Sequence, residues 1–361
     1  MLFVPASCEP RAQLVRAKNI DYTPDLTSDS YWDAHHICVV RVNGLGKDAE
    51  GKPQLTYQVV GRISEALVEE VRTVRLSDLW FGMYVEEPPR IGAHDNLVIY
   101  YAREGPSPIV ATKLDAGIEE SPLVKSLRRI AGLRAGAGGP RALREAALSA
   151  DALVALYSLK RLLAQPPSEA GGDYAAQLMK VRDDEGREAQ VRLLAGRLAY
   201  KLEGKSDDSA EEYAWLRAAI IKSKEPDWAQ LKPLLDRLLE FEGRRAENVA
   251  FLTHLVGDPN AAQATRIAAY SSFEDRRLFR FDKPDAESDS VFEACIGMLK
   301  DPDPVIRGAG AALLHNLSVQ IDAAAKRAYV ERAKSAIGAA IAVETNAGTQ
   351  GQLKSYLKLL S

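Results

Sequence analysis

The sequence contains little cysteine, with Cys8, Cys38 and Cys295 as its three thiols in 361 residues. That number is too small for a disulfide-stabilised scaffold, and the spacing matches no metal-binding pattern. Cys8 and Cys38 both lie in the N-terminal part and are candidates for a disulfide. Two reduced, buried thiols are the alternative, and the sequence does not decide between them.

An excess of positive charge is also absent. The formal net charge is -3, and neither the first 130 residues nor the remainder is basic. A protein that binds the phosphate backbone needs such an excess, so no nucleic-acid partner is predicted. No apolar run reaches the roughly 20 residues that a membrane-spanning helix requires, so no transmembrane segment is predicted either.

Familiar catalytic and cofactor motifs are missing as well. The chain has no serine-hydrolase elbow, zincin helix or paired CxxC motif. Gly46–Pro53 approaches a phosphate-binding loop, but Pro53 stands where that motif needs Ser or Thr, which predicts a hairpin loop. His35 and His36 are adjacent, and neighbouring residues of a strand point to opposite faces. We therefore predict a non-enzyme without cofactor or metal.

The first 120 residues contain several short β-strand patterns, in which β-branched and apolar residues alternate between Gly- and Pro-containing turns. These patterns lie at 36–43, 55–60, 68–76, 96–102 and 109–112. Short strands at this spacing are typical of small all-β domains. We predict a multidomain β + α chain whose first domain, 1–120, is an OB-like β-barrel or sandwich.

The pattern changes near residue 120. Ser121-Pro122 predicts the start of a helix, and the glycine-rich stretch that follows predicts a flexible linker, so 121–140 is assigned to a helix and linker. From 141 to 361 the strand patterns end, and Leu and Ala recur at helical spacing. We predict an α-helical domain there.

One internal repeat is visible in the helical part. Asp258-Pro259 and Asp301-Pro302 lie 43 residues apart, and the same offset separates Ala268-Ala269 from Ala311-Ala312. The run from Asp301 to Leu313 resembles the HEAT-repeat family most clearly. The resemblance implies stacked antiparallel helix pairs that form a curved solenoid.

The N-terminal part is similar to netrin-like (tissue-inhibitor-of-metalloproteinase-like) domains. The residues that carry this resemblance are Ala6–Pro10, the strand at 37–42, Tyr57–Gly61, and Gly92 with Leu97–Tyr100. It implies an OB fold with an inhibitory or regulatory role.

The first eight residues look like the end of a secretory signal. Ala6-Ser7 are small residues of the kind that precede a cleavage point or a lipidated cysteine, which would be Cys8. We expect a lipid-modified or signal-peptide-derived N-terminus. A periplasmic, cell-surface or secreted bacterial location follows, with the cytoplasm as the alternative.

Two clusters combine aromatic residues with the features of a contact surface. The first is the loop that contains Arg276, Arg277, Phe279, Arg280 and Phe281. Arginine and aromatic residues together are typical of interface anchors, and a loop that folds back on its own helices is the alternative. The second cluster begins at Trp80 and Phe81, for which core packing or a protein contact is expected.

These observations favour a non-catalytic scaffold that binds a protein partner, or a second copy of itself, through the helical surface and the β-domain. Two alternatives remain open. One is a netrin-like inhibitor or regulatory module, and the other is an enzyme with an unrecognised site between the domains.

Overall fold

A computed structural model describes residues 25–64, 71–76, 79–80, 90–102, 109–167, 172–205, 209–222 and 228–361. Contacts divide the chain into two compact units, Met1–Val181 and Arg182–Ser361. The predicted boundary at residue 120 marks the change from strands to helices, whereas the first unit also includes the helices that follow its strands.

The first unit is built on one open β-sheet. Its strands are β1 (His35–Lys47), β2 (Pro53–Arg62), β3 (Val71–Arg75), β4 (Leu79–Trp80), β5 (Asn96–Ala102) and β6 (Ile109–Lys113). They are hydrogen-bonded in the order β3-β2-β1-β5-β6-β4. Neighbours are antiparallel except for the two-residue β4, which runs parallel to β6.

Within the described residues the outer strands β3 and β4 do not pair, so the prediction of a closed barrel or a two-sheet sandwich was wrong. Ile37 and Val39 of β1 belong to one buried cluster, and Cys38 and Val40 belong to another on the opposite face. A sheet that is covered on both sides requires such continuous apolar strands. The strand pattern predicted extended backbone but carried no information on closure.

One face of the sheet packs on helices of the same unit. These helices are α1 (Asp29–Ala34), α2 (Pro122–Arg134), α3 (Gly139–Ala147) and α4 (Ala152–Ala164). The next helix along the chain is α5 (Gly172–Asp183). Leu127 of α2 and Tyr157 of α4 share a core with Val98 and Tyr100 of β5. As predicted, α2 begins after Ser121, whose hydroxyl accepts a hydrogen bond from the backbone N–H of Val124.

The glycine-rich stretch that was predicted as a linker forms a tight turn between α2 and α3. Gly136, Gly138 and Gly139 have φ values of 81°, 76° and 60°, a conformation that side chains with a Cβ rarely adopt. The backbone N–H of Ala137 donates to the carbonyl of Gly132. The glycines therefore reverse the chain inside one unit.

The second unit is helical throughout its described residues, which confirms the prediction of a helical region after the β domain. It contains α6 (Ala189–Leu202), α7 (Ala210–Lys222), α8 (Trp228–Leu239), a 3₁₀ turn (Glu242–Arg244), α9 (Arg245–Gly257), α10 (Gln263–Ser271), α11 (Ala286–Met298), α12 (Pro304–Gln320), α13 (Ala323–Val343) and α14 (Ala347–Leu359). One hydrophobic core runs through these helices. None of the described helices combines the length and apolar character needed to cross a bilayer.

The last six helices pack as three consecutive pairs, α9 with α10, α11 with α12, and α13 with α14. The first helix of each pair contacts the first helix of the next pair, so α9 contacts α11 and α11 contacts α13. The second helices α12 and α14 also contact each other. The predicted Asp-Pro positions lie at the turns inside two of these pairs: Asp258 follows α9, and Asp301 follows α11. Asp303 then caps α12 by accepting a hydrogen bond from the N–H of Val305. The turns inside these two pairs therefore depend on local sequence.

Candidate functional site

The first helices of the last two pairs, α11 and α13, touch along only part of their length. The ring of Phe292 on α11 meets the ring of Tyr329 on α13 edge to face, with centroids 4.8 Å apart. Phe279, from the loop before α11, makes a second edge contact with Tyr329 at 6.2 Å. Beyond these rings a groove of about 710 Å³ lies between the two helices.

The middle of this α11–α13 groove is apolar. Its apolar lining consists of Ile296 and Leu299 from α11 and Ala336, Ala339, Ala340 and Val343 from α13. Val343 is 78 % exposed, unusually high for a large apolar side chain. Exposed apolar surface with a polar rim marks sites of interaction, and the volume lies within the range of known binding sites.

The groove results from the small side chains on α13. Ala336, Ala339 and Ala340 are spaced by three and four residues, so they lie on one face of the helix. Packed helices stand about 8–10 Å apart, and larger side chains normally fill the space between them. A methyl group leaves that space open. On the other flank of α13, Ala333 and Ile337 are fully buried in the core, which keeps the helix attached.

The end of the groove near the start of α11 and the middle of α13 carries negative charge. Arg332 lies 2.8 Å from a carboxylate oxygen of Asp289 and 2.7 Å from one of Glu293. Hydrogen bonds from Arg332 and from the Tyr329 hydroxyl hold the pKa of Asp289 below its ordinary value, although burial opposes them. Burial in turn raises the pKa of Tyr329 to about 12. Two carboxylates on one guanidinium leave one negative charge in excess.

The opposite end carries positive charge. Arg307 binds Glu344 through two hydrogen bonds of 2.6 and 2.8 Å, and these lower the pKa of Glu344. Asp301 is paired with Arg266 of α10. Lys300 is exposed at the rim, and no described carboxylate forms an ion pair with it. Lys300 therefore presents an exposed positive charge at this end of the groove.

The same arginine contact occurs at both junctions between the three pairs. Arg266 of α10 donates to the carbonyl of Val256, at the end of its own first helix, and to Asp301 of the next pair. Arg307 of α12 likewise donates to the carbonyl of Asp301 and to Glu344 of the next pair. Each arginine thus ties its own turn to the turn that follows.

A second, smaller groove of about 450 Å³ lies between α9 and α11. Thr253, Val256 and Met298 are among its lining residues, and Lys300 and Asp301 belong to both grooves. The layer of first helices therefore carries two adjacent depressions that are separated by Lys300. A third depression, of about 560 Å³ near Arg187 and Glu188, has charged side chains at half of its lining positions.

The loop predicted as an interface anchor is only partly available to a partner. Phe279 is fully buried and stacks obliquely on the half-buried Phe281, with ring centroids 4.9 Å apart. Arg277 pairs with Asp275 and donates to the carbonyl of Asp236. Phe279 is thus a core residue, as in the alternative in which the loop folds back.

Two residues of the same loop remain exposed, Arg276 and Arg280. The Arg280 guanidinium lies 3.6 Å from Asp285. Their role in partner binding stays a prediction.

The other predicted site residues belong to the first unit. Trp80 lies in β4, where its backbone pairs with Val110, and Phe81 lies outside the described residues. Cys38 is buried in β1, and burial raises the pKa of its thiol to about 11. Cys8 also lies outside the described residues, so the disulfide stays a prediction.

No cluster of His, Cys, Asp or Glu within the described ranges is arranged to hold a metal ion. His35 stacks on Tyr31 with centroids 4.0 Å apart, and its Nδ1 lies 2.9 Å from the carbonyl of that residue. This histidine thus has a local structural contact.

The groove itself was not predicted from the sequence. Its signal was present in the alanine spacing at 336, 339 and 340. Alanine is also the best helix former, so an alanine-rich helix looks like an ordinary helix until its neighbour is known.

Comparison with known proteins assigns no family to the chain: no family model matches it, and no curated protein sequence matches it. The function must therefore be inferred from the described residues themselves.

Proposed function

We propose that residues Arg182–Ser361 form a HEAT-like solenoid that acts as a non-catalytic scaffold and binds a protein partner through its layer of first helices. The proposal rests mainly on the α11–α13 groove, because it is open and apolar and ends in charged groups at both ends. A solenoid exposes such surfaces because each repeat contacts only its neighbours.

The repeated arginine contacts support the solenoid part of the proposal. Arg266 and Arg307 occupy corresponding places in successive pairs, and both reach from a second helix to the following turn. Nearest-neighbour links of this kind fix the register of a stacked array without long-range contacts. The polar links therefore serve architecture and leave the apolar groove free for binding.

The test is cross-linking capture from the native cells, with the full chain as bait and bound proteins identified by mass spectrometry. Ala339→Glu places a carboxylate in the groove at an exposed helical position, where the fold tolerates it. Lys354→Glu changes the charge of an exposed residue on α14 outside the groove and serves as the matched control. We expect a stoichiometric partner with the wild type and the control, and its loss with Ala339→Glu. A partner retained equally by all three would contradict the proposal.

A further inference from the structure

The α11–α13 groove has the dimensions of a short helix contact. Its lining on α13 runs from Arg332 to Glu344. At about 1.5 Å per residue this is a length of roughly three helical turns. The alanines let another helix approach closely, while Ile296 and Val343 supply larger apolar contacts. An amphipathic helix that presents apolar residues at i, i+3, i+4 and i+7 fits such a surface.

The charges give the groove a direction. Asp289 and Glu293 share Arg332 at one end, and Lys300 adds an unpaired positive charge at the other. A helix prefers acidic residues in its first turn and basic residues in its last turn, because these complement its dipole. The acidic first turn then lies at Lys300 and the basic last turn at Asp289 and Glu293.

We infer that the groove binds an amphipathic helix of a partner protein, with an acidic first turn and a basic last turn, antiparallel to α11 and α13. This inference rests on the proposed function and names the chemistry of the partner. In this orientation the N-terminus of the partner helix faces the C-terminal ends of α11 and α13, so the helix dipoles also attract.

The probes are three capped synthetic peptides of about 18 residues, long enough to be partly helical in water. The acid-first peptide carries the apolar stripe, acidic residues in the first turn and basic residues in the last turn. The base-first peptide has the two charged turns exchanged. The scrambled peptide has the same composition without the stripe. Binding to the full chain is measured by fluorescence anisotropy.

We expect the acid-first peptide to bind and the scrambled peptide not to bind. The base-first peptide should bind about fivefold more weakly, because in the antiparallel orientation both end contacts are repulsive, and in the parallel orientation its dipole opposes those of α11 and α13. Ala339→Glu should lower the affinity for the acid-first peptide at least about tenfold, since it buries a carboxylate against the apolar stripe. Lys300→Glu should lower the affinity for the acid-first peptide and raise the affinity for the base-first peptide. Lys354→Glu should leave both affinities unchanged.

Equal affinity for the acid-first and base-first peptides would overturn the inference, as would binding that Ala339→Glu leaves intact or the failure of every peptide to bind. Sedimentation of the wild type and Ala339→Glu tests whether a second copy occupies the groove. A dimer that dissociates in the variant would assign the groove to self-association and overturn the inference.

The capture experiment separates this inference from the proposed function. If capture depends on Ala339 but the peptides show no end preference, the scaffold function stands and the helix chemistry is wrong. If capture does not depend on Ala339, the function itself fails.

Discussion

Both junctions between the last three helix pairs contain arginine–carboxylate links, but they differ in the spacing of their first helices. At the α9–α11 junction Arg245 binds Asp285 through hydrogen bonds of 2.6 and 2.8 Å, and the groove measures about 450 Å³. At the α11–α13 junction Arg332 binds Asp289 at 2.8 Å, yet the groove measures about 710 Å³. The ion pairs therefore do not set the width.

Side-chain size explains the difference in groove volume better than the ion pairs do. At the first junction Leu278, from the long loop before α11, is buried in the core, and its carbonyl accepts hydrogen bonds from Arg245 of α9. The connection between α12 and α13 is only two residues long, Ile321 and Asp322, and α13 presents alanine towards α11. Phe279 enters the wider junction only where its ring meets Tyr329. The aromatic contact between Phe292 and Tyr329 is the main apolar link of that junction.

Removing that link should have the largest effect. Phe292 is fully buried, so we expect Phe292→Ala to lower the free energy of unfolding by about 3–5 kcal/mol through lost contacts and a cavity. Urea unfolding followed by circular dichroism measures this. A loss below about 1 kcal/mol would mean that α11 and α13 are held together mainly by other contacts.

The arginine contacts should distinguish the two junctions. Arg266 and Asp301 have side chains only 5 % and 9 % exposed, so Asp301→Ala leaves an uncompensated buried charge and should cost about 3 kcal/mol. Arg307 is 16 % exposed and can recover hydration in Glu344→Ala, which should cost about 1–2 kcal/mol. The same unfolding measurement compares them, and equal losses would argue against tighter burial at the first junction.

Much of the helical unit could be predicted from the sequence because its signals are local. The repeated Asp-Pro pairs mark turns of this unit, just as Ser121-Pro122 marks a helix start in the first unit through capping. Closure of the sheet could not be predicted, because strands covered on both faces have the same composition in a barrel and in an open sheet. The groove depends on which side chains of α11 face Ala336 and Ala339, and this is a non-local property.

The interface loop shows a further limit of sequence reasoning. Arg276–Phe281 has the composition of a binding surface, but Phe279 is part of the core. Aromatic residues stabilise cores and interfaces by the same burial, so composition alone does not separate the two roles.

Two glycines offer a smaller test of how closely helices approach. A Cβ at Gly310 of α12 would lie 2.8 Å from the Cβ of Met298 and 3.0 Å from the carbonyl oxygen of Cys295, both on α11. Gly310→Ala should therefore destabilise the unit by about 1–3 kcal/mol. A Cβ at Gly338 of α13 meets no atom within 4 Å, so Gly338→Ala should stabilise it by about 0.5–1 kcal/mol. Thermal unfolding of both variants checks the opposite signs, and two effects of the same sign would contradict the close packing of α11 on α12.

Acid should weaken both junctions, and the α9–α11 junction more. Hydrogen bonds from Arg245 lower the pKa of Asp285 well below its ordinary value of 3.8, with Ser288 contributing against the effect of burial. A carboxylate with a depressed folded pKa adds stability above its unfolded pKa, and this stability is lost as the pH falls towards the folded value. Between about pH 5 and pH 3, wild-type stability should therefore fall more steeply than that of Asp285→Asn.

Arg332 likewise lowers the pKa of Asp289. Replacing it in Asp289→Asn should change the pH dependence of stability less, because no backbone N–H is among the groups that lower the pKa of Asp289.

The matched control for this pH series is Asp282→Asn, because Asp282 is exposed and forms no ion pair with a described residue. Its variant should follow the wild-type slope throughout. Denaturant midpoints at each pH measure all four proteins. If Asp285→Asn also followed the wild-type slope, the Arg245 contact would not persist in solution, and the narrower α9–α11 junction would owe its geometry to the buried loop side chains alone. The Arg245–Asp285 link would then add nothing measurable at the α9–α11 junction, and side-chain size would account for its smaller groove.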